Sequence, residues 1–288
     1  MLLALVVTWG STFGLNKIAL LSLPPIVVVS LRLTVSASVL LLVCWQQRRS
    51  LWLPFRHWRF FIVLAVIGDC MPFFLIGWGQ VSIDSALAGI LMAIIPLLTL
   101  LLSHFLFAAE RITPYRLAGF CFGFLGIILL VGPEALRGLG GTALAAQLAV
   151  LGGAACYAVN VVITPYNRVT SVLVTSTATL LIASVIMLLL ALVTHPVTSW
   201  TISTDAILSI IVLGIFGTAL PTLIFFRLVA SAGPTFYSLI NYMIPLWAVI
   251  IGATFLQERP DWNAYAALVL ILSGIGVSQI APQSAKTE

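Results

Sequence analysis

Runs of about 20 consecutive apolar residues follow one another along nearly the whole chain, and a helix of that length and composition fits the hydrocarbon core of a bilayer. They fall at Met1–Leu20, Pro25–Gln46, Trp58–Gln80, Asp84–Ala108, Pro114–Pro133, Thr142–Pro165, Thr170–Thr194, Asp205–Arg227, Pro234–Gln257 and Trp262–Ile280. The runs are continuously apolar, whereas strands of an outer-membrane barrel would alternate. Short gaps with turn chemistry separate them, such as Ser22–Leu23–Pro24–Pro25 and Ala232–Gly233–Pro234. Of 288 residues, 61% are apolar and 7% charged, against about 25% charged in a soluble domain. That balance excludes a solvated globular enzyme, a disordered chain and a coiled coil. The expected fold is an all-α polytopic membrane protein with ten transmembrane helices.

The net charge of +5 reads as basic cytoplasmic loops, since no Lys/Arg run resembles a nucleic-acid patch. With the N-terminus inside, the inner face receives Arg48, Arg49, Arg56, Arg59, Arg111, Arg116, Arg168, Arg227 and Lys286, and the outer face only Arg137 and Arg259. The positive-inside rule then places both termini in the cytoplasm. The first run lacks a basic leader and a small-residue cleavage site, so it reads as a span and not a signal peptide. Cys44, Cys70, Cys121 and Cys156 are scattered singly and read as small buried hydrophobes. No gap is long enough for a soluble domain, and no nucleophile, metal cluster or paired carboxylates sit at depth. No catalytic residue, metal or cofactor is expected.

The chain also repeats itself. Gly68, Pro72 and Pro96 lie 4 and then 24 residues apart, and Gly217, Pro221 and Pro245 show the same spacings. Each second proline is followed by an acidic–basic pair, Glu110–Arg111 and Glu258–Arg259, and then by Gly126–Ile127 and Gly274–Ile275. Phe13…Asn16 matches Tyr157…Asn160. Residues 1–137 and 138–288 thus read as two five-helix repeats. Five is odd, so the second repeat enters the membrane upside down. Inverted repeats are the architecture of alternating-access carriers, with the substrate near the midplane. Pro72, Pro96, Pro221 and Pro245 are expected kinks, because a proline inside a helix frees the carbonyl one turn earlier. Those groups need a partner in lipid, which points the kinks toward protein or a wet cavity.

Here the residues carry a family resemblance. Trp9-Gly10-Ser11-x-Phe13-x3-Lys17, then Pro24-Pro25 and Arg32, resembles the start of an EamA-type member of the drug/metabolite transporter superfamily. Pro96…Glu110-Arg111 and Pro245…Glu258-Arg259 are similar to the end of each EamA repeat, and the finer likeness is to the bacterial aromatic amino-acid exporters. The resemblance implies a bacterial inner-membrane exporter of metabolites, with a cavity lined by spans one, three, four, six, eight and nine. One departure stands out: small multidrug members carry a membrane-embedded Glu in the first span, and this chain has none there.

Helical spacing nominates the binding residues. Trp9, Phe13 and Asn16 share a face of the first span, Tyr157 and Asn160 a face of the sixth, and Tyr237, Asn241 and Pro245 a face of the ninth. Asn amides at depth either join helices or meet a polar ligand, and they suit a zwitterion. Trp9, Phe13, Phe73, Trp78, Met92, Tyr157 and Tyr237 would suit an apolar or aromatic side chain, though aromatic stripes more often only pack. Among ionisable groups, Arg32 is expected to snorkel outward. Lys17 is the candidate cation at the cavity mouth, and Asp69 could bind an ammonium group, carry a proton or pair with a buried cation. His104 reads as interfacial. Gly119, Gly123 and Gly126 are expected to pack the fifth span on the tenth at Gly274 and Gly276, with the protein a monomer and a dimer the alternative.

The reading that follows is export of small amphiphilic metabolites, amino acids first and aromatic ones preferred. A proton-coupled multidrug or other metabolite exporter is the alternative within transport, and a membrane scaffold or receptor the alternative outside it.

Overall fold

Lipid offers the backbone no hydrogen-bond partner, so an apolar run must satisfy its own amides by coiling into a helix. The computed structural model describes residues 1–52, 54–83, 88, 91–92, 94–106, 112–136, 144–166, 171–200, 203–244, 247 and 262–279. Every regular element among the described residues is helical. In chain order these are α1 (Leu2–Gly10), α2 (Thr12–Leu20), α3 (Pro25–Gln46), α4 (Phe55–Ala65), α5 (Met71–Ser82), α6 (Ile95–Leu106), α7 (Pro114–Leu136), α8 (Leu144–Ile163), α9 (Val172–Thr194), α10 (Thr204–Gly214), α11 (Leu220–Ala232), α12 (Pro234–Ser238) and α13 (Trp262–Gln279). Among the described residues six stretches are long and apolar enough to cross a membrane: Leu2–Leu20, Pro25–Gln46, His57–Ser82, Leu144–Tyr166, Val172–Thr194 and Thr204–Ala232. The last runs past the expected end at Arg227. It stops where Gly233 takes φ 85°, a conformation that favours glycine, and Pro234 follows. Pro245, Glu110–Arg111 and Glu258–Arg259 lie outside the described residues.

Two of the long stretches change winding in the middle. α4 joins α5 through a π-turn at Val66–Cys70, and α10 joins α11 through a π-turn at Ile215–Ala219. Each ends two residues before a proline, Pro72 or Pro221. The proline ring excludes the carbonyl four residues back, and the helix widens there to i→i−5 bonding. Near Pro96 the described residues instead show a turn at Ile94 ahead of α6.

Helices pair across the two halves of the chain. α3 packs along α9 and α7 along α13, and these are the most extensive contacts among the described residues. α5 lies on α8, while α1 lies on α11 and α2 on α10. Exchanging the halves maps the third-with-sixth span contact onto the eighth-with-first. Glycine sets the closeness of α7 and α13. A Cβ on Gly274 would come to 2.6 Å from the Gly119 carbonyl oxygen, and one on Gly126 to 2.6 Å from the Ile271 side chain. Gly123 makes room for the Tyr242 ring, whose hydroxyl donates to the Phe120 carbonyl at 3.0 Å. Gly276, by contrast, has nothing within 4 Å of an added Cβ.

The outer surface is apolar, with Leu21, Phe105 and Val193 each more than three-quarters exposed. Such a surface belongs in lipid. Trp45, Trp52 and Phe55 stand out beside Arg48 and Arg49 at the α3–α4 connection, the mixture expected at a membrane–water boundary. Cys44 and Cys70 are buried as expected, but Cys121 is exposed on the lipid-facing side of α7, where a thiol costs little. The His104 ring accepts from the Ile112 amide at 3.2 Å, and this ties α6 to the start of α7.

Candidate functional site

The paired helices leave a central cavity of about 140 Å³, close to the volume that holds one benzene-sized ring. α1 and α2 contribute Trp9, Thr12 and Asn16. The third span contributes Asp69, Phe73, Ile76 and Gln80, at i, i+4, i+7 and i+11. Met92 closes one side. α8 brings Tyr157 and Asn160, and the ninth span brings Tyr237 and Asn241. Rings form much of the wall. Trp9 meets Tyr237 edge-on at 6.1 Å, Phe225 meets Tyr237 at 4.9 Å, and Phe73 meets Tyr157 at 6.3 Å.

The second π-turn is held by side chains. Its widened winding and Pro221 leave carbonyls at Leu213, Gly214 and Gly217 in search of donors. Thr218 Oγ1 donates to the Leu213 carbonyl at 2.9 Å, Ser36 Oγ to that of Gly214 at 2.9 Å, and Arg32 Nη2 to that of Gly217 at 3.0 Å. Arg32 Nε also donates to Thr218 Oγ1 at 2.6 Å, and the guanidinium lies 4.2 Å over the Phe73 ring. Arg32 therefore does not snorkel. It is 7% exposed and lines the cavity, because the π-turn opposite offers it acceptors that a straight helix would have used up. A charge at bilayer depth costs about 2.5–3.5 kcal/mol, and these bonds with the aromatic face offset much of that. The first π-turn has a different neighbour. Asn160 packs against Gly68 so closely that a Cβ there would come to 2.7 Å from its amide.

A second polar contact crosses the cavity. Asn16 Nδ2 donates to Gln80 Oε1 at 2.8 Å, joining the first span to the third. Gln80 Nε2 and Asn160 Oδ1 are buried with no partner among the described residues, so the site retains an amide donor and an acceptor for a solute. Gln80→Leu strands the buried Asn16 amide and should cost about 1–3 kcal/mol, read as a lower melting temperature in detergent. Adding Asn16→Leu should return most of it, since two apolar partners owe no hydrogen bonds. A double variant no more stable than the single would contradict that coupling.

Nine of the expected contacts thus converge: Trp9, Asn16, Asp69, Phe73, Met92, Tyr157, Asn160, Tyr237 and Asn241. Lys17 and Trp78 do not. Lys17 follows Asn16 by one position, a rotation of about 100° on a helix, and is exposed. Trp78 is five residues past Phe73 and 45% exposed, turned away from the wall. The Phe13 side chain lies outside the described residues. Asn241 is partly occupied locally, with Nδ2 donating to the Ser238 carbonyl at 3.0 Å. Sequence reasoning missed Gln80, Thr12, Thr218 and the lining role of Arg32. The i+4, i+7, i+11 series from Asp69 would have found Gln80. Among the described residues no group of three His, Cys, Asp or Glu could hold a metal.

The EamA-like transporter family model matches residues 1–132 and 144–279. The transporter YoaV of Bacillus subtilis is 22% identical over 275 residues, covering 95% of this chain and 94% of that one. YvbV of the same organism is 26% identical over 276 residues, 94% of this chain and 88% of that protein. A transporter of Archaeoglobus fulgidus is 27% identical, with 95% of each covered. A solved crystal structure shares the fold at a TM-score of 0.79 and 20% identity, over 96% of this chain and 94% of that one.

Proposed function

The chain belongs to the EamA-like transporter family, and from that premise we propose that this membrane transporter exports small amphiphilic metabolites, amino acids first and aromatic ones preferred, through its central cavity. The observation that carries the reading is the composition of the cavity wall. One carboxyl, one guanidinium and neutral amides share it with Trp9, Phe73, Tyr157 and Tyr237. A zwitterion with an apolar side chain matches both parts, and a cavity of about 140 Å³ takes a ring in close contact. The two family-matched segments and the cross-half helix pairs support ten spans in two inverted repeats divided near residue 137. Solute would pass as the cavity-lining helices rock about their widened and proline-bearing turns, in the inner membrane of a bacterium with both termini in the cytoplasm.

Counterflow tests the reading. Liposomes holding the purified protein and unlabelled phenylalanine are offered labelled phenylalanine, alanine or a cationic dye, with and without a pH gradient. Phenylalanine is expected to accumulate faster than alanine without a gradient. Dye movement that requires the gradient, with no amino-acid flux, would replace this reading by a proton-coupled multidrug carrier with Asp69 as the carboxyl. No flux of any solute would favour a scaffold or receptor.

A further inference from the structure

Arg32 has more donors than its structural bonds use. A guanidinium presents five N–H groups in a fixed fork. Here Nε serves Thr218 and Nη2 serves the Gly217 carbonyl. Nη1 has no hydrogen-bond partner among the described residues, and Arg32 lines the cavity. The plane of the group is fixed twice over, by those two bonds and by the Phe73 ring 4.2 Å beneath it. A fixed fork with its end left open matches the two oxygens of a carboxylate. On the same wall, one turn from Phe73, stands Asp69. It forms no direct ion pair with Arg32 within bonding distance among the described residues, although both line one cavity.

We propose that Arg32 is the carboxylate-binding residue of the cavity and that Asp69 receives the ammonium of the same solute, so that the site selects the α-amino-acid head group by both of its charges. This rests on the amino-acid reading above and deepens it. The unpartnered Asn160 Oδ1, also on this wall, is a further acceptor for the ammonium. Phe73 lies under Arg32 and edge-on to Tyr157 at 6.3 Å. A solute held by its carboxylate would therefore lay its side chain against aromatic walls. Arg32 then has two tasks: it satisfies the π-turn, and it reads the solute.

The test separates those tasks by selectivity and not by total flux. Phenylalanine, phenylalaninamide (no carboxylate) and hydrocinnamate (no ammonium) compete against labelled phenylalanine in counterflow, and melting in detergent monitors the fold. In the wild type, each analogue should compete on the order of 10–100-fold more weakly than phenylalanine, the loss of one charge-assisted contact. Arg32→Gln should bring phenylalanine down to the level of phenylalaninamide. Arg32→Lys keeps the charge without the fork and serves if the Gln variant fails to fold; it should retain part of the preference. Asp69→Asn should erase the preference over hydrocinnamate and leave that over phenylalaninamide. If Arg32→Gln or Arg32→Lys weakens all three solutes equally, Arg32 only braces the π-turn and the proposal is overturned, while the amino-acid reading stands. A wild type that moves no phenylalanine would overturn both.

Discussion

Gly119→Val is expected to prevent α7 from seating on α13, with a fall in melting temperature on the order of 10 °C or complete loss of folded protein. A Cβ at Gly119 would run into the Gly274 carbonyl oxygen and would come within 2.7–2.8 Å of the Ser278 Cβ and backbone nitrogen. Two of those three atoms are backbone, so no rotamer change relieves the overlap and the helices must part. Overpacking commonly costs about 1–3 kcal/mol, and a clash against backbone belongs at or above the upper end. At roughly 2–4 °C per kcal/mol for a chain of this size class, the stated shift follows. In lipid, close backbone approach is itself the attraction between helices, because no hydrophobic difference drives them together. Gly276→Val, on α13 two residues past Gly274 and with open space at its Cβ, is the control and should melt within a few degrees of wild type. Equal stability of the two variants would contradict this account of the α7–α13 contact.

The second large effect is expected on flux. Gly68→Ala places a methyl 2.7–2.8 Å from every amide heavy atom of Asn160, at the π-turn that carries Asp69. The obstacle is the end of a side chain, so the protein can fold by turning Asn160 aside. Counterflow should drop about tenfold, as for a misplaced contact group, while the melting temperature changes by only a few degrees. In Gly68→Ala/Asn160→Ala the overlap is gone, so stability should recover, yet flux should stay low because the amide is missing. Wild-type flux from Gly68→Ala would mean that Asn160 has no fixed place in the transport cycle.

Much of this architecture could be read from the chain because bilayer thickness and helical periodicity act locally. The Asn16 and Asn160 faces, the Pro72 and Pro221 distortions and the α7–α13 glycine contact all came from spacing alone. What escaped depends on the partner helix. Lys17 and Arg32 are both cations a short way into apolar spans, and nothing in their own helices separates them. The difference is made by residues 213–218, far along the chain, whose carbonyls are exposed only because that helix winds wide. Trp78 escaped for a related reason: a ring suits lipid as well as a cavity, and only the rotation of α5 decides. Gln80 was legible in principle from its position on the Asp69 face.

The two wide turns also bear on chain length. A π-turn holds one residue more than an α-helical turn of the same reach. Deleting a single residue between Val66 and Cys70 would restore straight winding while α5 still offered Phe73, Ile76 and Gln80 to the interior. The same deletion within α5 would swing every later side chain by about 100° and carry Gln80 toward the lipid. The equivalent holds for Ile215–Ala219 and the face of α11 that bears Phe225. These turns act as slack, the places where a span can shorten by one residue without exchanging its inner face for its outer one.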